Sequence, residues 1–274
     1  MSVEYGFFAA QTEISELKAL WQSVFGDSAA VTDAFFDTLY APDGTLLARE
    51  NGRVLGCAYL LRGIELVSPG APTRSAAYLY ALAVRENCRG KGIGRKLVEL
   101  CAEETKKRGE VLCLMPGSDS LRSWYRDCCR MTDFGGLHWE HFTAGGEGQR
   151  VSIAPISPAE YTERREALLK DLPHARLPED YFRFQAALCV SVGGGFFRLR
   201  DARGGDGIAC VETETDGFYA CEMLYTGDIP SAADAVARAL GKENGRILLP
   251  GTQPGLMTAG AESAPNFWWG PLLD

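Results

Sequence analysis

Apolar residues recur at helical spacing from Ile14 to Phe25, with Leu17, Leu20, Trp21 and Val24 on one face. Thr12 stands where an N-cap would be expected. The same spacing predicts a second helix over 31–40, stopped by Ala41-Pro42. The period then shortens to two. Strands are predicted over 45–50 and 53–67, joined by Asn51-Gly52, a strong hairpin signal. A Pro/Gly turn leads to a strand over 75–84. A helix over 92–107 follows, with Ile93, Leu97, Leu100 and Cys101 on its apolar face and Gly109 closing it. A short buried strand over 111–115, a helix over 119–128 and a strand over 137–143 complete the first half.

The stretch 144–149, Ala-Gly-Gly-Glu-Gly-Gln, reads as a linker. The order of elements then starts again. A strand is predicted over 151–156. A helix begins at Ser157-Pro158-Ala159-Glu160, which has the letters of a capping box and proline at the first helical position. Another helix spans 178–192, and strands are predicted over 196–199, 207–213 and 218–225. Ser231 is expected to cap a helix ending at Gly241, with strands over 246–249 and 266–269. Both halves read strand, two helices, three strands, helix, strand, a repeat of architecture rather than of letters. The expected units are 1–145 and 150–274.

Composition narrows the class. With 274 residues, 46% hydrophobic and 23% charged, the chain can bury a full core. The net charge of −8 argues against nucleic acid as a partner and suits a cationic small substrate. The start lacks the basic and apolar regions of a signal peptide, and no stretch is long and apolar enough for a membrane span. Nine scattered cysteines without a C-x-x-C, and only three histidines, give neither a disulfide framework nor zinc-site spacing. The expectation is a cytoplasmic protein with reduced thiols, no metal and no membrane, its oligomeric state open. Cys88 is the thiol whose position invites reactivity.

That position is the glycine-rich turn. Tyr80 to Leu97 runs from a strand end through Arg89-Gly90-Lys91-Gly92-Ile93-Gly94-Arg95 into a helix. Glycine lets a ligand approach the main chain, and the first helical N–H groups have no internal acceptor. The helix dipole and Arg89, Lys91 and Arg95 favour an anion there. Gly94 is followed by Arg95-Lys96, so a Walker A loop fails, and no G-x-G-x-x-G fits. Arg89, Gly92 and Gly94 do form R-x-x-G-x-G. With Leu82-Ala83-Val84 before it and a long helix after it, the segment resembles the acyl-CoA-binding turn of the GNAT acyltransferase superfamily.

The resemblance covers about the first half. It implies two tandem GNAT-like units of mixed α/β class, each a mixed, mostly antiparallel sheet flanked by helices. It also implies acetyl-CoA as co-substrate, held by Leu82, Ala83, Val84, Arg89, Gly90, Lys91, Gly92, Ile93, Gly94 and Arg95. A family tyrosine that commonly protonates the departing thiolate falls on Tyr125. The usual Asn before that helix is Ser118, and Met131-Thr132-Asp133-Phe134 replaces a Gly-Phe ending. The acceptor is expected to be a small-molecule or peptidyl amine. Many relatives carry a carboxylate base on the central strand, but 75–84 holds none, only Tyr78 and Tyr80. His138, Glu140 and His141 are candidates instead. Tandem relatives of the Eis type place their C-terminus near the site, which adds Asp274. The second half has Thr226-Gly227-Asp228 where the turn would be, with a negative charge in the diphosphate position. A non-catalytic acyl-CoA-binding sensor or scaffold is the alternative reading.

Overall fold

The computed structural model describes residues 3–145, 150–264 and 266–271. The first half runs β1 (Glu4–Phe7), α1 (Ile14–Phe25), α2 (Ala29–Thr38), β2 (Thr45–Glu50), β3 (Arg53–Val67), β4 (Arg74–Val84), α3 (Ile93–Lys107), β5 (Val111–Leu114), α4 (Asp119–Cys129) and β6 (Thr132–Thr143). The second runs β7 (Val151–Pro155), α5 (Pro158–Leu169), β8 (His174–Arg176), α6 (Glu179–Ser191), β9 (Gly195–Asp201), β10 (Asp206–Glu214), β11 (Gly217–Tyr225), α7 (Ile229–Leu240), β12 (Asn244–Pro250) and β13 (Gln253–Ala259). The fold is mixed α/β, and the element order of the first half recurs in the second. No helix among the described residues is long and apolar enough to cross a membrane.

Several local features follow from single residues. Asn51 and Gly52 both take positive φ, which lets β2 and β3 turn tightly on each other. Apolar helical stripes bury Leu17, Leu20 and Trp21 of α1, and Ile93, Leu97, Val98 and Cys101 of α3. The helices sandwich one sheet of order β1-β2-β3-β4-β5-β13-β6-β12-β11-β10-β9-β7, with β8 paired to the end of β3. On one face a single core runs through both halves, joining Trp21 and Phe35 to Phe182 and Phe184. On the other, α3 and α4 cover the first half and α7 the second.

The middle of the sheet is shared. β13, from the end of the chain, lies antiparallel to both β5 and β6, and β6 in turn pairs with β12. Each half therefore contributes its last strand to the seam. Trp269 stacks on Tyr78 of β4 with centroids 5.6 Å apart, and Phe267 packs on Phe134. The aromatic run 267–269 is packing between the halves.

The structure corrects some boundaries. Thr12 does not cap α1; Glu13 occupies the N-cap after a short 3-10 turn, and its carboxylate accepts the Ala10 N–H at 2.7 Å. Asp228, not Ser231, caps α7, which starts three residues earlier than expected. Ser157 caps α5, but the Glu160 carboxylate takes Arg164 at 2.7 Å instead of closing a box. Residues 266–269 form no strand; Trp268 makes one isolated bridge to His174, and the last strand among the described residues is β13. Of the expected linker, 146–149 lie outside the described residues.

Candidate active site

β4 and β5 run parallel only from Ala76–Tyr78 against Val111–Cys113. β5 ends at Leu114, whereas β4 continues to Val84. Beyond Tyr78 the two strands part. The separation coincides with an irregularity on the other edge of β4. Cys57 faces Ala83 and Tyr59 faces Tyr80, so two steps on β3 oppose three on β4. Ala81 absorbs the extra residue with φ +46. A bulge of this kind takes main-chain groups out of the ladder.

A cavity of about 310 Å³ fills the gap, walled by Tyr78 to Leu82 of β4, Leu114, Met115, Tyr125 of α4, and Trp21, Phe25 and Asp27 from the end of α1. It shares Phe25, Leu82 and Leu121 with a larger cleft of about 730 Å³ at the start of α3. Phe25 and Leu121 are 45% and 43% exposed, large apolar side chains facing water at the junction. An elongated ligand with an apolar middle would cover both.

The larger cleft is built on the glycine turn. Gly92 is the N-cap of α3, with φ +80 and no capping side chain. Gly90 is also left-handed at φ +75. A Cβ built on either meets nothing within 4 Å, so conformation rather than crowding demands glycine, and the space in front is open. Lys96 is the first residue whose N–H returns to the turn, bonding the Gly92 carbonyl at 3.0 Å. The amides of Ile93, Gly94 and Arg95 precede it and, by helix geometry, have no intrahelical acceptor. Arg89 leans on the end of β4, its Nε donating to the Val84 carbonyl at 3.2 Å. Arg95 is turned back to Glu99 at 2.8 Å. Lys91 stands exposed in the loop, Cys88 lines the cleft, and Leu82 and Val84 present side chains to it. Ala83 points into the core and offers only main chain.

Tyr125 is 7% exposed and its ring lies against Trp124 at 4.9 Å. Burial, helped by Cys129 and Cys101, raises its phenol pKa well above the ordinary value, so it stays protonated at neutral pH. Its helix is held from below. Arg122 donates to Asp133 at 2.6 Å and to the carbonyls of Gly255 and Pro254 at 2.6 and 3.1 Å. The last strand of the second half thus fixes a helix of the first. Ser118 caps α4, accepting the Leu121 N–H at 3.2 Å, with Ser120 Oγ at 2.9 Å. Its hydroxyl serves the helix and lines neither cavity.

The candidate bases are not brought to the gap. His138 and Glu140 pair with each other at 3.0 Å on the exposed side of β6, opposite Leu249 and Ile247. His141 lies beside Arg246, and none of the three lines either cavity. Asp274 lies outside the described residues. Among the described residues, the carboxylate that lines the gap is Asp27, whose Oδ2 accepts the Trp21 indole N–H at 2.7 Å. Sequence reasoning missed it. It follows Gly26, the left-handed C-cap of α1, in a short link to α2, and no motif marks it.

The second half repeats the parting of strands and fills it. β11 pairs with β12 only from Phe218–Ala220 against Gly245–Ile247. Phe267, Trp268 and Trp269 sit against the opening, leaving about 20 Å³. At the helix start Asp228 accepts both the Ser231 N–H, at 2.9 Å, and its hydroxyl, at 2.6 Å.

Residues 13–128 match the model of the acetyltransferase (GNAT) family. A probable N-acyltransferase of Enterococcus faecalis V583 is similar in structure at TM-score 0.69 and 11% identity, over 94% of this chain and 72% of that one. Eis1 of Mycobacterium abscessus gives 0.63 and 13%, over 92% and 66%. A tandem GNAT protein of the clavulanic acid biosynthesis pathway gives 0.53 and 14%, over 95% and 100%. No curated protein matches the chain in sequence.

Proposed function

We propose that this chain, whose residues 13–128 form a GNAT-family acetyltransferase domain, moves an acyl group from acetyl-CoA to a primary amine. The observation that carries the reading is the uncapped start of α3 opening into the gap between β4 and β5. One end of the combined cleft suits a diphosphate and the other an extended, largely apolar arm. When bound, acetyl-CoA supplies the acyl group already activated as a thioester.

Each residue then has a task. The amides of Ile93, Gly94 and Arg95 hold the diphosphate, with Gly90 and Gly92 keeping the turn open and Arg89 and Lys91 adding charge. The free edge of Leu82 to Val84 pairs with the arm as an added strand would. The main chain at the Ala81 bulge aims N–H groups at the acyl oxygen and stabilises charge growing there. Asp27 attracts the ammonium form of the acceptor, which gives a proton to solvent and attacks the acyl carbon through the lone pair so freed. Tyr125 gives its phenol proton to the sulfur as the C–S bond breaks, and recovers one from solvent. A free thiol has a pKa of ~8.5 and a phenol ~10, and burial widens that difference. Tyr125 therefore donates as the bond breaks rather than beforehand.

The units 1–145 and 150–274 divide this work. The first carries the cleft, while the second braces it through β13 and takes no CoA of its own. Nine free cysteines fit a reducing, cytoplasmic setting. The test is thiol release from acetyl-CoA across a panel of small and peptidyl amines. Tyr125→Phe is expected to lower kcat about a hundredfold with the acetyl-CoA KM little changed. Stabilisation by CoA without turnover on any amine would favour a sensor instead.

A further inference from the structure

Apart from the residues that line the cleft, the second half gathers three thiols. Cys189 of α6, Cys210 of β10 and Cys221 of β11 place their Sγ atoms within 4.8 Å of one another, and all three are buried. Cys189 and Cys210 stand 3.5 Å apart. The third arrives through a bulge. The register steps from Cys210 opposite Glu222 to Val211 opposite Ala220, so Cys221 is the extra residue. It joins the core under α5 and α6.

The surroundings of the sulfurs are polar where a core would be apolar. Gln185 is fully buried, and its amide nitrogen donates to Glu212 at 2.8 Å and reaches Cys189 and Cys221 at 3.6 and 3.7 Å. The amide oxygen on the same group is buried and has no hydrogen-bond partner. Glu212 accepts from the Cys221 thiol at 3.5 Å. An orphaned buried oxygen beside three converging sulfurs needs a partner that protein groups do not supply.

We propose that Cys189, Cys210 and Cys221 hold one zinc ion, with the fourth position left to the unpartnered amide oxygen of Gln185 beside them. A tetrahedral site with Zn–S of ~2.3 Å sets its sulfurs ~3.8 Å apart, which this trio meets with small side-chain shifts. Three thiolates favour a divalent over a monovalent cation, because each further uncompensated charge is costly in a buried site. Binding releases the thiol protons and ties α6 to β10 and β11, a structural role. The cysteines are 21 and 11 residues apart in sequence, on three elements, which is why spacing alone showed no metal site.

The proposal does not depend on the acyltransferase reading. Untagged full-length protein, purified without chelator from zinc-sufficient medium, is expected to carry a single zinc by mass spectrometry. Cys210→Ser and Cys221→Ser lose it, whereas Cys113→Ser, a buried thiol of the first half, keeps it. Gln185→Leu yields its ion faster to a competing chelator. Reconstitution of the wild type with Co2+ gives thiolate-to-metal absorption, a readout that needs no variant to fold. Native protein without zinc and without that absorption overturns the proposal, as does copper in place of zinc or a Cys189–Cys210 disulfide.

Discussion

Asp228 seats its carboxylate on Ser231, accepting the backbone N–H at 2.9 Å and the hydroxyl at 2.6 Å, where the corresponding helix of the first half starts at a bare glycine. The two halves share an architecture and differ in who satisfies the first helical amides. In the second half the protein does so itself. In the first, an external anion can.

This difference predicts one acetyl-CoA per chain. Asp228→Ala is expected to lower stability by about 1 kcal/mol, the usual worth of an N-cap. It should not create a second site, because Phe267, Trp268 and Trp269 still fill the opening behind it. Calorimetric titration of the variant reads the stoichiometry, and a second site would refute the assignment.

Asp27 is expected to act on the acceptor and not on the acyl donor. Asp27→Asn keeps an oxygen for the Trp21 indole and removes the charge. The KM of a cationic amine should rise about tenfold while acetyl-CoA affinity stays put. Equal losses for both substrates would place Asp27 in folding rather than recognition.

Acid stability gives a separate check on the first helix. Glu13 accepts Arg49 through two bonds of 2.6 and 2.8 Å, and also the Ala10 N–H. The Arg49 hydrogen bonds, more than the opposing burial, hold its pKa below the ordinary value. A lowered folded pKa gives stability that is present above the unfolded value of ~4.3 and lost as pH falls through the folded one. Glu13→Gln should therefore lower Tm at pH 7 and flatten its decline below about pH 5. Parallel curves for wild type and variant would contradict this.

Much of the frame is legible in the sequence because local signals agree there. The α1 stripe, the Asn51-Gly52 hairpin and the glycine entry to α3 each combine periodicity with a turn or cap, and their elements appear where expected. What was missed depends on partners distant in the chain. β8 is three residues long and exists through pairing with β3. β13 contains Pro254 and Gly255, poor strand residues, and is a strand because β5 and β6 flank it. The aromatic run 267–269 has strand propensity but fills an opening instead. Asp27 shows the same limit at the site, since only the fold brings that loop to the gap. Tyr125 lines the gap, whereas Ser118 is committed to its own helix.

The central claim is that the α3 amides receive the diphosphate, and Gly94→Asp tests it most directly. Gly94 is helical, and its Cβ would meet only Val84 and Trp124, at 3.7 and 3.9 Å, both lining the cleft. An acidic residue in a first helical turn stabilises the helix, so the unliganded protein should melt no lower than wild type. The same carboxylate repels a diphosphate. In a thermal-shift titration, acetyl-CoA is predicted to raise the Tm of wild type and leave that of Gly94→Asp unmoved. An undiminished shift in the variant would mean that the diphosphate sits elsewhere.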